Sequence, residues 1–287
     1  MATLQDIRKR IVGVEKTQKI TKAMKTVSAA KFGRATRAIH AARPYAEKIR
    51  EVMAAVSAGV DPDAHPLLVP RETPRRLDVA VFTSDRGLCG AFNANVIKRA
   101  EELIVERQPQ LDAISLIPVG RKGAEYFRRH SYGEVPREFI GLGQASQDDA
   151  REIAELLMER YESGETDEVV LVYAEFQSAL TQHPRAQRLL PMIPDRRDEP
   201  VESVVYATEP DPESLLRLLV PRAVEFGIFR ALLESQAGEH GARMTAMDNA
   251  TNNTAELIET LTLTFNKARQ AEITAELVEI VGGAEAL

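Results

Sequence analysis

Cysteine is almost missing from this 287-residue chain: Cys89 stands alone, which excludes an intrachain disulfide and the cysteine-rich metal sites and suits a reducing compartment. Tryptophan is absent and aromatic residues make up only 5% of the sequence. No run of about 18 apolar residues occurs, and the opening "MATLQDIRKR" lacks the apolar core of a secretory signal. The expectation is a chain that neither crosses a membrane nor is exported. The five histidines are scattered, with no H-E-x-x-H or similar ligand spacing, so no metal site is predicted. A net charge of −6 gives no overall pull toward nucleic acid. Proline is missing from both ends, because all fifteen prolines fall between Pro44 and Pro221. The strongest helix breaker therefore leaves two long terminal segments untouched.

Those segments carry helical periodicity. Leu4, Ile7, Ile11 and Val14 recur at three and four residues, and Phe32, Ala35, Ile39, Ala42, Ala46, Ile49, Met53 and Val56 resume the register. Between them the seam turns polar at Gln18, Thr21, Lys25 and Ser28, beside an apolar row of Ile20, Ala23, Met24, Val27 and Ala30. A shifted packing face or a second partner is expected there. The C-terminal segment opens at "EPDPESLL", with Asp211 placed to cap, Pro212 in the first helical position and Glu213 in the first turn. It continues through Leu257 and Leu261 to a small apolar face of Ala268, Ala271 and Ala275. Pro221, Gly238 and Gly241 are points where a kink or loosened turn is expected. Residues 1–50 hold thirteen Lys/Arg against three Asp/Glu, whereas 210–287 hold six against twelve. An antiparallel coiled coil of the two ends, matched in charge, is the prediction. Ile7, Ile11, Val14, Leu257, Leu261, Ala268, Ala271 and Ala275 would form its packing.

The middle has another texture. Apolar runs at 77–82, 113–119, 169–174 and 188–193 alternate with helical patterns at 93–107, 121–130 and 146–162. Such alternation reads as an α/β domain with a mostly parallel sheet. The organisation is then a helix over 1–60, a linker near 61–74, a Rossmann-like α/β domain over 75–208, and a helix over 211–287. "SDRGLCGAFN" (84–93) sits between strand and helix, yet it lacks the phosphate-loop spacing and its lysine, and a tight turn accounts for Gly87 and Gly90. "GLGQAS" (141–146) has two of the three dinucleotide-fingerprint glycines, and Ser146 followed by Asp149 reads as a helix cap. Acid pairs such as Asp148 and Asp149 belong to a solvated helix surface. No catalytic, cofactor-binding or metal-binding residue is predicted.

The blocks "TLQDIRKRIVGVEKTQKITKAMKTVSAAK", "ARPYAEKI", "SDRGLCG", "EPDP", "ARMTAMDNATNN" and "NKARQAEITAELVEIVGGAEA" strongly resemble the gamma subunit of bacterial F-type ATP synthase, in order and spacing from end to end. The resemblance implies a non-catalytic rotor shaft coupling a proton-driven c-subunit ring to three beta sites. Its partners would be the alpha3beta3 hexamer, the epsilon subunit and the ring, at the cytoplasmic face of the bacterial plasma membrane, with no cofactor on this chain. By the same resemblance Met24, Lys22 and Lys25 lie near the beta lobes, Arg243, Gln270, Thr274 and Glu276 engage a beta loop, and Tyr206 lies near the ring. The paired-cysteine insert of the chloroplast form is absent. Two other readings compete with it. A nucleic-acid-binding helical arm rests on the basic N-terminal segment, although Phe32 and Tyr45 are its only aromatics. A dinucleotide enzyme would rest on the incomplete "GLGQAS".

Overall fold

A computed structural model describes residues 3–57, 60–61, 65–179, 181–193 and 211–285. The terminal helices are α1 (Leu4–Ser57) and α5 (Pro212–Glu285), and the central elements run β1 (Arg76–Phe82), α2 (Phe92–Arg107), β2 (Ala113–Val119), α3 (Arg121–Phe127), α4 (Gln147–Glu162), β3 (Glu168–Phe176) and β4 (Gln182–Leu190). The chain divides into two compact units, Met1–Ala29 with Arg243–Leu287, and Ala30–Ala242. These differ from a division at element boundaries, since each long helix contributes to both.

In the larger unit the sheet order is β2-β1-β3-β4, with β1 parallel to β2 and β3, and β4 antiparallel on the edge. The nearly continuous apolar strands are those of a sheet covered on both faces. Leu77, Val79 and Val81 of β1 turn to one face, where they join Val96, Ala100 and Ile104 of α2. Ala80 and Phe82 turn to the other, against Ile153 and Leu157 of α4, Val220, Val224 and Ile228 of α5, and Met53 and Val56 of α1. Period-two alternation thus sorts one strand between two helical layers. The seam positions Phe32 to Val56 of α1 are all buried or partly buried, as their spacing predicts.

Two expectations change. The last strand begins at Gln182 rather than 188, because "HPRAQR" is an exposed edge whose mixed polarity hides its pairing, and Pro184 is tolerated at an edge. The glycines of α5 are close-approach sites and not loosened turns. A Cβ on Gly238 would lie 3.1 Å from a Phe92 ring carbon, and one on Gly241 3.2 Å from the Ala179 backbone. α5 runs unbroken through both glycines and through Pro221. It starts as predicted, with Asp211 Oδ1 accepting from the Ser214 backbone N–H at 2.8 Å.

A short 3-10 turn, Pro66–Leu68, is capped by His65, whose Nδ1 accepts from the Leu67 N–H at 3.2 Å. His65 is buried, and that burial lowers its pKa, with Glu162 and Arg217 as its charged neighbours. The unfolded chain therefore binds the proton first, and stability falls as pH drops below about 6.5. Protonated Nδ1 can no longer accept the cap, which costs about 1 kcal/mol. Thermal unfolding of the wild type and His65→Asn between pH 7.5 and 5 should show a smaller pH-dependent loss in the variant, since Asn caps without titrating.

Candidate functional site

The smaller unit pairs the start of α1 with the second part of α5. Thr21 Oγ1 and Thr251 Oγ1 lie 2.8 Å apart, and Lys25 Nζ lies 2.6 Å from Asp248 Oδ1. Moving forward along α1 moves backward along α5, so the pair is antiparallel. From Met247 onward the seam of α5 runs through Met247, Thr251, Thr254, Ile258, Leu261, Phe265 and Ala268, all at least partly buried and in alternating steps of four and three as a coiled coil requires. On α1 the seam runs through Leu4, Ile7, Ile11, Val14, Gln18, Thr21, Lys25 and Ser28, with Met24 partly buried beside it.

The packing face does not shift at the polar stretch. Thr21 and Ser28 are 8% and 3% exposed, whereas Ile20 and Val27 of the neighbouring row are 60% and 56% exposed. The Thr21 hydroxyl is satisfied across the seam by that of Thr251, which lets this polar residue stay inside. Ile7, Ile11, Val14 and Leu261 are at least partly buried in the seam, while Leu257 is exposed beside it and Ile258 takes the inward place.

The alanine face behaves differently from its expectation. Carried on at the spacing of the Thr21 and Lys25 contacts, Leu4 at the start of α1 comes level with Ala268. Ala268 is partly buried, but every residue from 271 to 281 is exposed, Ala271 and Ala275 included. Among the described residues no helix lies against those two alanines. The same stretch bares Ile273, Leu277, Val278, Ile280 and Val281.

The other predicted positions divide between inside and outside. Lys22, Gln270, Thr274 and Glu276 are exposed, and Met24 is partly buried. Thr274 Oγ1 donates back to the Gln270 carbonyl at 2.8 Å. Arg243 does not face outward: it is 7% exposed, one turn before Met247 on the covered side of α5. Tyr206 lies outside the described residues. Asp248 and Thr251 escaped sequence reasoning. A Lys and a Thr in an otherwise apolar seam signal that partners exist, but naming them needs the register.

In the larger unit the two glycine motifs are built into the fold's own bonding. In "SDRGLCGAFN" the Ser84 N–H donates to Asn93 Oδ1 at 2.9 Å, and Asn93 Nδ2 donates to Ser84 Oγ at 2.8 Å. Asp85 Oδ1 accepts from the backbone N–H groups of Arg121 and Gly141, so an acid stands where a phosphate would need donors. The loop after "GLG" is held by Gln236, whose amide donates to the Gly143 carbonyl and accepts from the Ala145 N–H. Ser146 caps α4 by accepting from the Asp149 N–H at 3.1 Å. The cavity at these strand ends, lined by Thr83, Asp85, Gly120, Ser235 and Gln236, measures about 50 Å³, far too small for a dinucleotide. Among the described residues no group of three or more His, Cys, Asp or Glu is placed to hold a metal ion, and no helix is long and apolar enough to cross a membrane.

The sequence profile of the ATP synthase family matches residues 3–287. This chain belongs to that family. Among its curated relatives are the ATP synthase gamma chains of Pelotomaculum thermopropionicum, 46% identical over 288 residues, and Chlorobaculum tepidum, 48% identical over 291 residues, with 99–100% of each chain covered. A solved structure of the Tetrahymena thermophila mitochondrial ATP synthase central stalk and c-ring contains a chain 26% identical, with a TM-score of 0.59 over 80% of this chain and 99% of that one. A chain in the Euglena gracilis mitochondrial ATP synthase, 23% identical over 99% of this chain and 94% of that one, shares the fold at a TM-score of 0.72.

Proposed function

We propose that this chain is the central rotor shaft of a proton-translocating F-type ATP synthase, linking rotation of a c-subunit ring to ATP synthesis or hydrolysis on beta subunits. The observation that carries this reading is α5 beyond Ala268, where exposed Ile273, Leu277, Val278, Ile280 and Val281 outrun the partner helix. An apolar stretch of this kind calls for a surrounding surface, and a sleeve formed by an alpha3beta3 hexamer supplies one. The gamma-chain relatives over full length and the central-stalk neighbours support it.

The shaft is not itself catalytic, binds no cofactor, and acts through contact. Its asymmetric surface stabilises a different conformation of each beta subunit at each angle, so turning it drives the three sites through binding, synthesis and release in order. Exposed Lys22, Gln270, Thr274 and Glu276, with Met24 beside the seam, would meet the beta subunits. The epsilon subunit and the c-ring are the partners at the other end, with Tyr206 near the ring. The assembly would sit at the cytoplasmic face of the bacterial plasma membrane, with this chain peripheral. Nothing favours the nucleic-acid or dinucleotide readings.

Reconstitution tests this. Purified alpha and beta subunits with this chain should form a defined complex holding one copy of it, and ATP hydrolysis should rise at least tenfold over the two subunits alone, on the order of 1.4 kcal/mol or more of barrier. No complex and unchanged turnover would sink the shaft reading.

A further inference from the structure

Arg8, Lys9, Lys16, Lys19 and Lys22 are exposed along one side of the first turns of α1, a strongly basic face. Lys25 continues that series but differs in setting. It is partly buried, and its ammonium lies 2.6 Å from Asp248 Oδ1 on α5, with the two side chains 42% and 44% exposed. Asp248 lies one residue beyond Met247 of the seam, so α5 presents its carboxylate at the edge of the pair, level with Lys25. Four residues earlier on α1, the Thr21 to Thr251 hydroxyl contact holds the two helices at this register.

We propose that Asp248 is a positioning residue for the shaft's contact with the beta subunits: it draws the Lys25 ammonium onto α5 and withholds one positive charge from the basic face of α1. The inference deepens the shaft reading and rests on it. A basic face is complementary to a carboxylate-bearing partner surface, and a cation held by an intramolecular carboxylate contributes less to such a contact than a free one. With both side chains half exposed, the intramolecular pair is weak enough for a partner carboxylate to compete for Lys25. Asp248 therefore sets how tightly this level of the shaft grips its surroundings, and a tighter grip must be broken at each step of rotation.

The test uses complexes reconstituted with alpha and beta subunits and carrying Asp248→Asn, Lys25→Gln, the double variant, or Asp248→Glu. Asp248→Asn should slow ATP hydrolysis roughly two- to fivefold at low ionic strength, the range set by one half-exposed charge pair. The deficit should shrink as added salt screens the freed charge. It should vanish when Lys25→Gln is combined with it, and Asp248→Glu should restore the wild-type rate. A purely structural role for Asp248 would leave the salt dependence unmoved. An equal deficit with and without Lys25, or one insensitive to salt, overturns the proposal. In the full-length chain alone, a double-mutant cycle on thermal stability should register coupling between positions 25 and 248, and its absence overturns the ion pair. If that coupling is present but the complexes form without raising ATP turnover above that of alpha and beta alone, the shaft reading has failed and not the pair.

Discussion

Asp78→Ala should destabilise the chain by about 3–5 kcal/mol, the largest effect expected of any single side chain here. Asp78 is 1% exposed on β1, and Arg160 of α4 reaches it through Nε at 2.7 Å and Nη2 at 3.2 Å. The same guanidinium donates to Ser115 Oγ at 3.2 Å and to Glu165 Oε2 at 2.6 Å. Removing the aspartate leaves a nearly buried guanidinium short of its principal acceptor. Burial pushes the Asp78 carboxyl above the usual carboxylate range despite the hydrogen bonds from Arg160. Arg160, by contrast, is held above its usual value chiefly by its hydrogen bond to Asp78, so the desolvation cost falls on the more deeply buried carboxylate, and a buried pair of this kind adds little net stability over an apolar replacement. The two statements are compatible, because breaking a buried pair and replacing it are different operations. Asp78→Leu with Arg160→Met should accordingly recover most of the loss. Urea unfolding of the single and double variants decides it: a double variant no more stable than Asp78→Ala would contradict the argument.

The second large effect is expected at Gly120. This residue precedes α3 with φ of +108°, and a Cβ added there would stand 2.1 Å from the Thr83 carbonyl oxygen at the end of β1. Backbone cannot rotate away as a side chain can. Gly120→Ala therefore combines a left-handed conformation, worth about 1–2 kcal/mol, with a main-chain collision, for a loss of about 3 kcal/mol or more. Gly90 provides the control. Its φ is +56°, but nothing lies within 4 Å of the added carbon, so Gly90→Ala should cost only about 1 kcal/mol. Comparable melting temperatures for the two variants would show that steric crowding at Thr83 is not what Gly120 relieves.

Neither contact could be read from spacing. Asp78 stands within the apolar run "LDVAVF", and its partner is 82 residues further along the chain. Gly120 resembles any glycine after a strand until Thr83 is placed beside it. The positions that were legible share one property, that their cause is local. Asp211 and Ser146 cap helices through neighbours a few residues away, and the covered positions of α1 from Phe32 to Val56 follow from one helical period. The candidate contact surface divides in the same way. Exposure of Gln270, Thr274 and Glu276 is compatible with the outward role that the family resemblance suggested, whereas Arg243 was assigned outward and is buried.

The sequence alone determined that two long helices flank an α/β domain, because proline placement, heptad spacing and alternating apolar runs act through neighbouring residues. Tertiary structure decided where the helices stop covering each other. The axial register of an antiparallel pair is set by contacts between residues more than two hundred positions apart, such as Thr21 with Thr251 and Lys25 with Asp248. Periodicity is unchanged by sliding one helix along the other. A face of Ala268, Ala271 and Ala275 therefore reads as one seam in sequence, and only the register shows that the partner helix ends level with its first member.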